Sequence, residues 1–193
     1  LAACPGVELT AIVPPSWRDV GHTQALERVA PEGYRLEVTP IAWNGHFHLH
    51  YYPYLPRLLQ HLRPDILHID EEPYNLATYR ALRAGRRVGA HTLFFSWQNL
   101  RRSYPPPFGW LERYVYTHAD AAIAGTSAAA SVLRDKGYER ELVVLPQFGV
   151  DPEVFVPARP PEERPFTIGY AGRLVREKGI RVLLEALGMV QGT

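Results

Sequence analysis

Between Thr167 and Gly179 the chain reads TIGYAGRLVREKG, an apolar run feeding a glycine turn in which two cations, Arg173 and Lys178, stand five residues apart. A helix N-terminus offers free backbone N–H groups and the positive end of the macrodipole, so a phosphate there is stabilised before any side chain is counted. Arginine adds a bidentate fork and lysine a mobile point charge, a pair suited to a diphosphate. Gly172 and Gly179 bound the loop and belong to the same candidate site. In open α/β domains ligands sit beyond the carboxyl ends of the strands, where this loop falls. A tight turn with solvated charges is the competing reading of these residues taken alone.

Three other groups could do chemistry. His46, His48 and His50 alternate; in a strand they would share one face, as metal ligands do. No cysteine or carboxylate lies close by to complete a set, so an exposed edge or loop is expected and no metal is assigned. Arg83, Arg86 and Arg87 with Arg101 and Arg102 form a basic cluster, read as solvated surface, with weak peripheral contact to anionic lipid headgroups as the alternative. The run Tyr104-Pro-Pro-Pro-Phe108 is read as a rigid loop ahead of a helix rather than as a polyproline ligand.

The elements that must carry these residues follow from hydrophobic period. Short apolar, β-branched runs alternate with helical patterns, which predicts a parallel sheet wrapped by crossover helices. Strands are expected at residues 7–13, 35–41, 65–69, 87–95, 121–124 and 142–145. Helices are expected at 53–62, 76–84 and 110–118, and from a Thr126 cap to a stop near Gly137. The fold class is therefore α/β: a Rossmann-like parallel sheet with helices on both faces over residues 1–150. In residues 151–165 five of fifteen positions are proline and the apolar period stops, which predicts a linker. Residues 166–193 are expected to open a second domain with a strand at 166–171, the basic loop and a helix at 180–190.

Composition sets the remaining bounds. With 193 residues, 46% hydrophobic and 21% charged, there is material for one sizeable core. Lys and Arg number 21 against 20 Asp and Glu, a net charge of +1, so no global field draws nucleic acid and no nucleic-acid partner is expected. The single cysteine, Cys4, excludes an internal disulfide and fits a cytoplasmic compartment, with the inner face of a membrane as a peripheral alternative. No apolar run is long enough to span a bilayer. The opening LAACPGVELTAIV and the closing LLEALGMVQGT both break into helical patterns, so both ends are read as cuts.

AGRLVREKG followed by LLEAL resembles the donor-diphosphate loop of family-4 retaining glycosyltransferases, and QFGVDPEVFVP resembles the interdomain junction of that family. The segments RPDILHID at 63–70, ADAAIA at 119–124 and Lys136-Gly-Tyr138 fall in the same order. The resemblance spans nearly the whole chain. It implies a GT-B architecture, an acceptor-side domain largely missing its first strand and helix, and only the start of the donor-binding domain. The implied reaction is transfer of a sugar from a nucleoside-diphosphate sugar to a hydroxyl of a glycan, lipid-linked or small-molecule acceptor, with retention and without a metal or other cofactor. Carried over, Arg173 and Lys178 are the catalytic pair, contacting the donor diphosphate and stabilising the charge that develops on it. The family's glycine-rich first loop and a pair of downstream glutamates would lie outside this chain, so the piece alone is not expected to turn over.

Within that resemblance the acceptor-side and sugar-binding candidates come from strand exits facing the interdomain cleft. Glu71 and Glu72 follow the strand ending at Asp70; Trp97, Gln98 and Asn99 follow the strand ending near Ser96. Family members often carry a histidine at the latter place. Here His91 falls inside the strand and Trp97-Gln98-Asn99 occupies the position, a departure from the pattern. Trp97 could stack on a sugar ring, and Gln98 or Asn99 could hydrogen-bond a hydroxyl. Loop packing competes for these three, and charges favoured by a helix dipole compete for the glutamates. Two further readings stay open: a sugar-nucleotide enzyme other than a transferase, such as an epimerase, and a noncatalytic glycan- or nucleotide-binding module.

Overall fold

The computed structural model describes residues 4–19, 21–27, 32–156, 167–172 and 174–190. The chain divides into two compact units, Leu1–Gly149 and Val150–Thr193.

The first unit is built on a four-stranded parallel sheet. Its strands β5 (Ile66–Ile69), β6 (His91–Ser96), β7 (Ala121–Ala124) and β8 (Glu141–Val144) lie in sequence order, with Ile69 beside Phe94 and Ser96 beside Ala124. Helices α2 (Leu76–Arg87), α3 (Phe108–His118) and α4 (Ser127–Asp135) make the three crossovers, and α1 (Leu55–Leu62) precedes the sheet. Parallel neighbours need such crossovers, which is why helix and strand alternate in the sequence. The core gathers Leu59, Leu82, Phe94, Val115, Leu133 and Tyr138, each at most 1% exposed. Small residues let the layers close. A Cβ at Gly85, inside α2, would lie 2.8 Å from Leu67 Cδ2 and 3.0 Å from Thr92 Cγ2. A mid-helix glycine costs about 1 kcal/mol relative to alanine, and here the close approach of α2 to β5 and β6 offsets it.

Local signals end the elements. The Thr126 hydroxyl accepts the Ala129 N–H at 3.1 Å, capping α4. At its far end Gly137 takes φ +91°, and the bonds Gly137 N–H to Arg134 O (2.9 Å) and Tyr138 N–H to Leu133 O (3.0 Å) close a Schellman turn. The strand expected at 87–95 starts later. Residues 85–87 continue α2, and the chain turns at Gly89 (φ +83°) before β6 begins at His91.

Two smaller pairings complete the unit. β1 (Thr10–Val13) runs parallel to β4 (Arg35–Val38). β2 (Ser16–Asp19) and β3 (His22–Ala25) form an antiparallel hairpin that has no counterpart among the expected elements. Asn44 anchors it, accepting the Arg18 N–H at 2.9 Å and donating to Ser16 O at 3.0 Å.

In the second unit a 3₁₀ turn (Arg176–Lys178) leads into α5 (Ile180–Val190). Residues 167–171 are not a strand. A strand is held by its ladder, and among the described residues of this unit there is no second strand to supply one. Phe166 and the greater part of the expected linker, 157–165, lie outside the described residues. Val182, Leu184, Met189 and Val190 of α5 are each more than 60% exposed. No helix among the described residues is long and apolar enough to cross a membrane.

Candidate functional site

Two strand exits meet at the carboxyl edge of the parallel sheet. β5 runs out into Asp70, Glu71 and Glu72, and its neighbour β6 into Trp97. Glu72 ties the exits together, accepting the Ser96 hydroxyl at 2.8 Å and the Trp97 N–H at 2.8 Å. Burial pushes its carboxyl above the ordinary range; donors from Ser96, Trp97 and Gln98 pull the other way, and the charge of Glu71 adds to the rise.

Glu71 accepts the Asn75 side-chain amide at 2.7 Å, and its Oε1 lies 3.2 Å from Nε2 of His50. That second contact falls short of hydrogen-bond geometry although the separation is that of an ion pair. His50 is 1% exposed, with Nδ1 3.0 Å from the Phe47 carbonyl and 3.3 Å from that of His46. A carbonyl oxygen only accepts, so Nδ1 carries a proton. A second proton on Nε2 makes the approach to Glu71 attractive. Burial draws its pKa down, but Glu71 and the two carbonyls outweigh burial and hold it above 6.5.

Asp70 is held from the other side. Both its oxygens lie 2.8 Å from Nε2 of Gln147, whose Oε1 accepts the Trp97 indole N–H at 2.6 Å. Gln147 thus bridges a carboxylate and an aromatic ring. Trp97 packs so closely on β7's exit that a Cβ at Gly125 would fall 2.7 Å from its ring, and it stacks on Phe148 at 6.3 Å.

These groups enclose a cleft of about 260 Å³. Asp70, Glu71 and Glu72 line it together with the rings of Trp17, Phe47, Tyr52, Phe95 and Trp97. The β2–β3 hairpin delivers Trp17, whose ring meets Phe47 at 5.3 Å and His50 at 5.0 Å, both edge-on. Carboxylates accept hydrogen bonds from hydroxyl and ammonium groups, and aromatic faces cover the apolar faces of a ring. Among the described residues no lysine or arginine lines the cleft. The lining therefore suits a polyhydroxylated or amino-bearing molecule and repels an anionic one.

Of the residues singled out in the sequence, Glu71, Glu72 and Trp97 come together in this cleft. Gln98 turns away, its amide donating to the Tyr104 hydroxyl at 3.0 Å, and exposed Asn99 stays outside the lining. Asp70 and Gln147 stood inside quoted motifs without a role. Trp17, Phe47 and Tyr52 arrive on a hairpin and a turn that carry no period. The three histidines do not share a face: His46 to His50 form a turn, His48 Nδ1 sits 2.9 Å from Asn75 Oδ1, and His50 is buried rather than at an exposed edge. No group of three His, Cys, Asp or Glu among the described residues is arranged to hold a metal ion.

In the second unit Gly172 has φ +152° and Gly179 φ +67°, the latter a left-handed turn whose N–H bonds Arg176 O at 3.1 Å. The Gly179 carbonyl then accepts from Leu183 at 3.1 Å as α5 begins. Lys178 is exposed directly before this turn. Arg173 lies outside the described residues.

A Rossmann-like α/β domain with a cleft lined by carboxylates and aromatic rings at the carboxyl edge of its sheet is the class that fold and site define. The family model for Glycosyltransferase Family 4 matches residues 5–154, more than half of the chain. The chain belongs to this family. Comparison with curated proteins and with solved structures found no match.

Proposed function

We propose that this chain is the acceptor-side part of a retaining glycosyltransferase that moves a sugar from a nucleoside-diphosphate sugar to a hydroxyl of a glycan, lipid-linked or small-molecule acceptor in the cytoplasm. The observation that carries the reading is the cleft of the first unit, inside the family match, where Trp17 and Trp97 face three carboxylates. An acceptor sugar would lay a ring face on an indole and offer hydroxyls to Glu71 and Asp70. The second unit contributes Gly172, Arg173, Lys178 and Gly179 to the donor diphosphate. Arg173 and Lys178 would stabilise the negative charge growing on the leaving diphosphate, a task that needs no metal.

Saturation-transfer NMR on the chain with a panel of neutral and amino sugars tests the acceptor half. Binding that disappears in Trp97→Ala while unfolding stays cooperative supports the reading; binding unaffected by Trp97→Ala refutes it. Titration with nucleoside diphosphates tests the donor half, and Lys178→Gln should weaken it.

A further inference from the structure

A second groove, of about 300 Å³, runs along the α1–α2 face and shares no lining residue with the cleft above. It is lined by Arg80, Arg83 and Arg87 of α2, with Tyr79, Leu76 and Pro56 among the apolar surface between them. Spacings of three and four residues put the three arginines on one helix face. The charge is lopsided. The 20 residues of α1 and α2 hold five arginines and no acidic residue, in a chain whose net charge is only +1.

The guanidinium groups are arranged rather than loose. Arg80 places its Cζ over the Tyr51 ring, 4.0 Å from the centroid. Arg83 sits 5.3 Å above the Tyr79 ring and donates to the Tyr79 hydroxyl at 2.9 Å. Neither contact neutralises a charge. The ion pairs among the described residues join His50 to Glu71, Lys136 to Glu112 and Arg181 to Glu185, and none involves these three arginines. Guanidinium groups held against aromatic rings keep further N–H donors, which are suited to bidentate hydrogen bonding with a tetrahedral oxyanion. The volume is at the small end of ligand pockets.

We propose that this groove is a phosphate-binding site, for a phosphomonoester or diphosphate group on a small solute or on a lipid headgroup. Arg80 and Arg83 supply the fork and Arg87 the additional charge. The site is independent of the donor loop.

The experiment is calorimetric titration of the full chain with inorganic phosphate and with pyrophosphate, at ionic strength matched with sodium chloride. The variants are Arg80→Gln/Arg83→Gln, the charge-matched control Arg101→Gln/Arg102→Gln, and Lys178→Gln. Circular dichroism checks that each is folded. The expected result is saturable binding weakened roughly tenfold or more by the first variant, as the loss of one charge-assisted hydrogen bond predicts. The control and Lys178→Gln should retain it. Flotation with vesicles of phosphatidylcholine, alone or with phosphatidic acid, separates the sources. Vesicle binding that needs both phosphatidic acid and the two arginines assigns the phosphate to a lipid; phosphate binding without flotation assigns it to a solute. Equal loss in the control, complete loss in Lys178→Gln, or no response to phosphate and vesicles alike would overturn the proposal.

Discussion

Replacing Glu71 by glutamine keeps the outline of the cleft and removes the charge facing His50. The two groups stand 3.2 Å apart, with the His50 side chain 1% and the Glu71 side chain 33% exposed. At an effective dielectric of about 20 the attraction across that gap is on the order of 5 kcal/mol. Taking the imidazolium out of water offsets much of it, and the exposed part of Glu71 is screened, leaving about 1–2 kcal/mol. The sign with pH follows from the raised pKa of His50. Stability from a base whose folded pKa exceeds its unfolded value is present in full below about pH 6.5 and is lost as pH rises through the folded pKa. Glu71→Gln should therefore cost most below about pH 6.5 and progressively less above it. In the variant burial, the largest influence on this ring, loses its main opponent. The pKa of His50 should then fall below 6.5, and the His50 contribution to stability should rise with pH instead of falling. Long-range proton–nitrogen NMR of the imidazoles from about pH 5.5 to about pH 9 reads the midpoint directly, with His50→Gln supplying the assignment, and urea unfolding over the same range reads the energy. A His50 midpoint below 6.5 in the parent chain, or one that Glu71→Gln leaves in place, would refute the upward shift and its attribution to Glu71.

Other perturbations have equally definite outcomes. Lys136→Met should destabilise the first unit by about 3–5 kcal/mol in urea unfolding, since it strands the Glu112 carboxylate; both side chains are at most 10% exposed. The double change Glu112→Leu/Lys136→Met should recover most of that loss. Gly125→Ala places a methyl 2.7 Å from the Trp97 ring; the indole should swing away, breaking its bond to Gln147 at a cost of about 1 kcal/mol and altering near-UV circular dichroism. An unchanged spectrum would show that Trp97 does not pack there. Asp120 is partly buried, which works against ionisation, but the N–H and hydroxyl of Thr92, with His91 and Arg86, hold its pKa below the usual 3.8. Its stabilisation is full above pH 3.8 and fades as pH falls through the lower folded value. Asp120→Asn should flatten that part of the acid-unfolding curve.

Where the chain repeats a physical rule along its length, the sequence discloses the structure. Ala121–Ala124 occurs as the buried strand that its small apolar run predicts, and α4 starts and stops at the Thr126 cap and the Gly137 turn. Such rules are local, so one segment suffices to apply them. The site is legible only in its strand-exit half. Glu71, Glu72 and Trp97 follow strands, and the carboxyl edge of a parallel sheet is where ligands gather. The other half depends on contacts between distant segments: Asn44 pins a hairpin 26 residues upstream, and Gln147 reaches Asp70 across 77 positions. Neither asparagine nor glutamine carries a pattern that announces its partner. The strand expected at 166–171 is the opposite case: residues 167–171 have strand composition yet do not form a strand, and among the described residues of this unit there is no other strand.

The buried histidine joins these two halves. The histidines at 46, 48 and 50 are expected at an exposed edge or loop; the segment does fold as a turn with His46 and His48 exposed, but His50 goes inside, against Trp17 from the hairpin and Glu71 from the strand exit. It stands 3.2 Å from Glu71, beside Glu72, whose own carboxyl is pushed up by burial. Two adjacent acids are thereby set apart: Glu72 is occupied with holding the β6 exit, while the Glu71 side chain is one-third exposed and lines the cleft. On the proposed reading, Glu71 is the one of the pair that receives a hydroxyl. Its loss should weaken sugar binding, whereas loss of Glu72 should first displace the Trp97 backbone.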